Sequence, residues 1–342
     1  MHPVDASSRR LPASPGKTPA GTVRIGILGC SDIAERKFLP ALLRSPRAIL
    51  SAVASRDLGR TARWCARSGG VPCTYDKLVR GGTADLVYLS LPNHLHEEWV
   101  LRALAGGMHV LCEKPLGLTV RSVQRMVNAA RERGLLLAEN LMFLRHPQHG
   151  IVRELIASGA VGPVRGLRTS YGFPLADPDN FRMDPTRGGG AFHDLIRYPL
   201  GMAQFLLQGP VVRAHGFRRV RDGLTVAVHA WAVTGETEML SLSVGFDQQY
   251  ECFYEVVGEQ GVIRLDRAYT PPADLANTVH LTIGSERTTV MAPAADQFQL
   301  MLDHVIGQLA SEPGREELYR GAAELARAAE LVRQGCEEVP AP

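Results

Sequence analysis

The sequence lacks the marks of several large protein classes. Its six cysteines (Cys30, Cys65, Cys73, Cys112, Cys252 and Cys336) are scattered, with no C-x-x-C pair. That spacing argues against a structural zinc site or a disulfide framework, and for reduced thiols in a cytoplasmic protein. No apolar run approaches the roughly 18 residues of a membrane span. The formal net charge is only +3, spread over both halves, which gives no case for nucleic acid or a membrane surface as partner. None of the eleven histidines stands in a metal-ligand spacing with a carboxylate, so no metal is expected. The first 21 residues have no periodicity and no apolar centre of the signal-peptide kind, and read as a disordered tail. No internal repeat is visible.

What is present is a 342-residue chain with 45% apolar residues, enough for two ordinary domains. From residue 23, short apolar runs (23–29, 49–54, 85–91, 108–112, 135–138) alternate with amphipathic stretches at about 32–44, 58–68, 94–106 and 119–133. Strand–helix alternation of this kind implies an α/β fold with a doubly wound parallel sheet, here over residues 22–143. Thr119 with Ser122, and Gly134 beyond, supply cap signals for the last of these helices. After about residue 160 the pattern changes to consecutive strands near 163–173, 211–220, 225–234, 238–246, 250–257 and 260–265. Helices are expected near 194–207, 296–310 and 315–334. Residues 144–342 therefore predict an α+β domain, its large, mostly antiparallel open sheet covered on one face by helices.

The first strand runs into Gly29-Cys30-Ser31-Asp32-Ile33-Ala34, which matches G-x-G-x-x-G/A with Ser31 in place of the second glycine. Such a turn needs tight geometry at Gly29, close backbone approach near Ser31 and a small residue at Ala34. Free N–H groups around Asp32 and Ile33 would then face a pyrophosphate. The second strand ends Ala54-Ser55-Arg56-Asp57. Ser55 and Arg56 suit a 2′-phosphate, with Arg60 one helical turn along as a second cation, while Asp57 keeps NAD open. The balance favours NADP(H).

Three further segments carry a family pattern: Leu89 to His96 (LSLPNHLH), His109 to Leu116 (HVLCEKPL) and Glu139 to Phe143 (ENLMF). With Gly188-Gly189-Gly190 through Asp194 to Tyr198, they make the chain resemble the Gfo/Idh/MocA oxidoreductases. Within that family it looks most like the 3-ketoreductases of deoxysugar and antibiotic biosynthesis, which act on a dTDP-linked 3,4-diketo-2,6-dideoxyglucose. The resemblance implies that Leu91, Pro92, Asn93, His96 and Glu113 border the dinucleotide, with Lys114 directed at the reacting carbon. The residues agree, because strand carboxyl ends of an open α/β sheet form the ligand crevice and Pro115 forces Lys114 out of helical geometry. A cis bond before Pro115 is compatible with this. A lysine there can stabilise developing alkoxide charge. Many members carry His four residues after the Asp of the glycine-rich segment, where this chain has Tyr198. Asp194 and Tyr198 share a helix face. A phenol donates a proton at neutral pH and a nearby Lys⁺ would lower its pKa, which suits reduction better than oxidation. Lys114 and Tyr198 are thus the catalytic candidates, and residue type does not settle which gives the proton.

Softer candidates remain. Arg182 and Arg187 precede the triple glycine, where a cation beside a Cβ-free stretch suits a phosphate, and Arg182 is assigned to the cofactor. Asn140, Gln148 and His149 offer polar groups for sugar hydroxyls beside Asp194. Gln297 is a further substrate candidate, as is Lys37, whose ordinary explanation is surface exposure. The leading reading is an NADPH-dependent reductase of a nucleotide-linked keto-sugar. Against it stand an NAD(P)-dependent dehydrogenase of a free sugar or polyol, and a dinucleotide sensor without chemistry. The family commonly assembles through its antiparallel sheet, so a homodimer or homotetramer is expected.

Overall fold

The computed structural model describes residues 21–341 apart from 176, 178 and 236, so the expected tail lies almost wholly outside the described residues. Six parallel strands form the first sheet: β1 (Val23–Leu28), β2 (Ala48–Ala54), β3 (Val71–Cys73), β4 (Leu86–Leu89), β5 (His109–Cys112) and β6 (Leu137–Glu139). Their order, β3-β2-β1-β4-β5-β6, reverses direction between β1 and β4. That switch point opens the crevice beyond the strand carboxyl ends. β1, β4 and β5 are almost entirely buried because helices cover both faces, as their unbroken apolar runs require.

The covering helices are α1 (Leu39–Arg44), α2 (Leu58–Ser68), α3 (Tyr75–Val79), α4 (His96–Ala105) and α5 (Val120–Glu132). A π-helical turn, Ala34–Phe38, precedes α1 within the single helix expected there. Thr119 and Ser122 close a reciprocal capping box at the start of α5, each side chain accepting the other's amide at 3.0 and 3.2 Å. Sequence periodicity did not reveal β3, which is three residues long and contains Pro72, or the single-turn-scale α3.

After α6 (Pro147–Ala157) the chain builds a nine-stranded mixed sheet from β7 (Val164–Gly172), β8 (Val211–Arg221), β9 (Leu224–Thr234), β10 (Glu238–Gly245), β11 (Glu251–Gly258), β12 (Gly261–Asp266), β13 (Asn277–Ile283), β14 (Glu286–Ala292) and β15 (Cys336–Pro340). The order is β14-β13-β12-β11-β7-β10-β9-β8-β15, antiparallel except where β7 meets β10 and β8 meets β15. Alternate residues face the helices α7 (Ala191–Leu195), α8 (Arg197–Leu206), α9 (Gln297–Gln308) and α10 (Glu312–Gly335). The other face is open. α10 also reaches back to the first sheet, where Tyr319, Ala322 and Ala326 join its core and Arg131 grips Glu316 at 2.9 Å. No helix among the described residues is long and apolar enough to cross a membrane, and all six cysteines are free thiols.

Candidate active site

Gly29 follows β1 at φ +108°, and a Cβ there would lie 2.8 Å from the Ser90 carbonyl oxygen. Both the backbone conformation and the space demand glycine. Its amide donates to Ala54 O at 2.9 Å, and Ser90 Oγ donates to its carbonyl at 2.9 Å, so β1, β2 and β4 all fix this turn. Ser31 Oγ accepts the Ala34 amide at 3.2 Å, which leaves its proton free to donate to a phosphate. Asp32 is exposed and paired with Arg36, Ile33 is half-buried, and Leu91 packs beside Gly29. Burial pushes the Cys30 thiol up to about 11, so the group next to the anion site stays neutral.

At the end of β2, Asp57 Oδ1 accepts the Arg60 amide at 3.0 Å and caps α2, and Ser55 Oγ accepts the Asp57 amide at 3.2 Å. Arg56 and Arg60 are exposed and form no ion pair among the described residues. Two unpaired cations beside an acid already engaged fit a phosphorylated ribose better than ribose hydroxyls.

β5 ends at Cys112 and delivers Lys114 across a cis bond to Pro115. Lys114 Nζ donates to both Oδ1 and the carbonyl oxygen of Asp194, each at 2.7 Å. Asp194 Oδ2 accepts Arg182 Nε at 2.9 Å, so one carboxylate lies between two cations. Burial alone would raise the Asp194 carboxyl, but Lys114 and Arg182 hold it below its ordinary value. The cluster carries one net positive charge, and an ammonium has three N–H groups, so Lys114 keeps a donor for a substrate oxygen.

Tyr198 lies on α8, one break beyond Asp194 on α7, with Lys114 Nζ 5.3 Å from its ring centre. Its ring packs against Tyr171 (4.7 Å), Phe143 (5.1 Å) and Tyr269 (5.4 Å). Its hydroxyl makes no hydrogen bond among the described residues. Burial first, then the neighbouring Tyr171, Asp194 and Glu113, raise the phenol well above its ordinary value, and Arg182 only partly offsets them. The expected lowering by lysine is thus overturned: in this apolar wall, desolvation of the phenolate outweighs the nearby charge.

Several other candidates turn inward. Glu113 is buried and accepts Tyr88 Oη and Asn140 Nδ2, both at 2.6 Å, so it braces the end of β5. Asn140 is fully buried in that same bond. The His96 ring, also fully buried, bridges Pro115 O (2.7 Å) and Leu91 O (2.8 Å) and ties the Lys114 segment to the 91–93 turn. Asn93 Nδ2 donates to Gly188 O at 2.8 Å, while Pro92, between Leu91 and Asn93, is half-buried. Gln148 and His149 have no exposed surface: Gln148 bonds Ala268 O and Asn277, and His149 Nδ1 lies 2.9 Å from Tyr254 Oη. Gln297 is buried at the start of α9, and Lys37 is exposed. The triple glycine serves the backbone, since a Cβ on Gly189 would lie 2.5 Å from Arg182 O. Two contributors escaped the sequence reading. Tyr171 lies on a strand whose alternation alone did not single it out, and the buried Glu139–Arg197 pair joins residues 58 positions apart. Among the described residues, no group of three or more His, Cys, Asp or Glu side chains could hold a metal.

Comparison with known proteins places this geometry. Residues 23–141 match the model of the Gfo/Idh/MocA oxidoreductase family with its NAD-binding Rossmann fold, and residues 150–264 match the Gfo/Idh/MocA C-terminal domain. A dTDP-3,4-didehydro-2,6-dideoxy-alpha-D-glucose 3-reductase of Actinomadura kijaniata is 35% identical over 94% of this chain and 98% of its own length. The enzyme of the same name from Streptomyces antibioticus is 36% identical over 92% of this chain and 97% of its own. The solved structure of a 3-ketoreductase from Actinomadura kijaniata, in complex with NADP and TDP-benzene, superposes with a TM-score of 0.89 at 35% identity, covering 94% of this chain and 100% of that one.

Proposed function

We propose, from the premise that this chain belongs to the Gfo/Idh/MocA oxidoreductase family, that it uses NADPH to reduce the C3 keto group of a dTDP-linked 3,4-diketo-2,6-dideoxyglucose. The observation that carries this reading is a buried phenol with an unused hydroxyl beside the Lys114–Asp194–Arg182 cluster. The residues at the crevice fit the dinucleotide: the Cβ-free turn at Gly29 and the unpaired Arg56 and Arg60 suit a pyrophosphate and a 2′-phosphate. When bound, the cofactor supplies the hydride. Lys114 holds the substrate oxygen with its remaining N–H and offsets the charge that develops there. Tyr198 Oη donates its proton to that oxygen. An alkoxide is a stronger base than a phenolate, and the raised pKa keeps the hydroxyl protonated until the oxygen gains charge. Arg182, its side chain one-third exposed (32%) beyond its bond to Asp194, keeps donors for a phosphate of the cofactor.

The test is NADPH consumption with dTDP-linked keto-sugars. Tyr198→Phe should lower kcat by about 10²–10⁴, with NADPH binding unchanged, and lose at least as much as Lys114→Ala. A smaller loss in the phenylalanine variant would move the proton source to Lys114 or a water it holds. Oxidation of free sugars with NAD, and indifference to nucleotide sugars, would sink the substrate assignment.

We infer a cytoplasmic location, which the free thiols support, and a homo-oligomer assembled through the open face of the second sheet. Trp231, Met239 and Phe217 stand exposed there, 53%, 50% and 41% respectively, an apolar strip of the kind that pairs with a second copy. Trp231→Glu should reduce the mass in solution measured by light scattering. An unchanged mass, or a monomeric wild type, counts against this surface.

A further inference from the structure

Behind the catalytic cluster, Glu139 and Arg197 form an ion pair at 3.0 Å with side-chain exposures of 3% and 5%. Glu139 closes β6 of the first sheet, and Arg197 opens α8 of the second domain. Glu139 Oε1 also accepts the Leu116 amide at 3.1 Å. Arg197 directs its two terminal nitrogens to Gly117 O and to Leu325 O on α10, both at 3.3 Å. The pair therefore holds the segment just after Lys114–Pro115 at two successive residues, while its arginine is the chain neighbour of Tyr198. The two groups that must meet one substrate oxygen come from different domains, and this pair is where those domains are joined behind them.

A buried ion pair is a weak source of stability, because desolvation offsets much of the attraction. One oxygen, Glu139 Oε2, is even left without a partner. What such a pair fixes well is geometry, with a planar donor fork set against a carboxylate and two carbonyls. We propose that Arg197 and Glu139 are positioning residues, an interdomain clamp that sets the approach of Lys114 to Tyr198 and includes α10 through Leu325. Misplacement of catalytic groups by about 1 Å lowers rates by about 10²-fold, so the clamp acts on kcat without touching either ligand.

The experiment compares wild type, Arg197→Lys, and the double variant Arg197→Met/Glu139→Leu, which replaces the ion pair with apolar groups of similar volume. The catalytic half rests on the reductase reading; the local half does not. Hydrogen exchange followed by mass spectrometry over residues 113–119 should show at least tenfold loss of protection in the double variant, with the strands of both sheets keeping theirs. On the keto-sugar, kcat should fall by about 10–100-fold, with the KM for NADPH within about twofold and the melting temperature near wild type. Arg197→Lys, which keeps the charge but loses the fork, should fall between. Wild-type exchange over 113–119, or a double variant that melts lower while its folded fraction turns over at the wild-type rate, overturns the clamp. A wild type inert toward the keto-sugar, with the exchange result intact, would sink the reductase reading and leave the clamp standing.

Discussion

Asp57 stands where an acid would face the ribose hydroxyls of an unphosphorylated dinucleotide, yet its carboxylate is spent on the first turn of α2. Arg60, whose amide makes that bond, sends its guanidinium into solvent with no carboxylate partner among the described residues. The same turn thus removes the acid from the pocket and supplies a cation to it. A charge-assisted contact to a phosphate contributes about 1.5–3 kcal/mol, which converts to about 10–100-fold in affinity. Arg60→Ala should weaken NADPH by that factor and leave NADH almost unchanged, read as two dissociation constants from nicotinamide fluorescence titrations. Equal weakening of both would place Arg60 outside the 2′-phosphate site.

Among the elements, the segment from β5 into α5 was legible almost residue by residue. Its signals are local: a buried apolar run, a proline that forbids helix, and a Thr119–Ser122 box whose partners are three residues apart. The β13–β14 hairpin was not legible, because β14 is exposed along nearly its whole length and carries no apolar alternation. α6 hid for the opposite reason. Its polar residues Gln148 and His149 look like solvent or ligand groups in sequence, whereas the fold buries them against Ala268, Asn277 and Tyr254, more than 100 positions away. The same distance problem governs the site. The family resemblance brought Lys114 to the site and helix spacing joined Asp194 to Tyr198, but whether Glu113, His96 and Asn140 face a ligand or each other depends on contacts that no local pattern encodes.

Burial on this scale also sets how the whole molecule responds to acid. His149 has no exposed surface, and burial pulls its imidazole down to about 3; His193 and His304 are each drawn to about 4 for the same leading reason. In the unfolded chain these groups titrate near 6.5. Between the two values the unfolded state binds the extra proton, so stability is complete above about pH 6.5 and declines as pH falls toward the folded pKa. The Asp194 carboxyl, held low by Lys114 and Arg182, adds a second loss only below the ordinary carboxylate range of about 4. The first acid weakness is therefore histidine-driven. His149 alone should contribute a loss of about 2 kcal/mol between pH 7 and pH 5. His149→Asn keeps a polar atom near Tyr254 Oη but cannot take a proton there. Its absolute stability should drop from imperfect packing, while the difference in unfolding free energy between pH 7 and pH 5, read from urea titrations, shrinks by about 2 kcal/mol relative to wild type. A difference that stays as large as in wild type would assign the acid sensitivity to groups other than this buried imidazole.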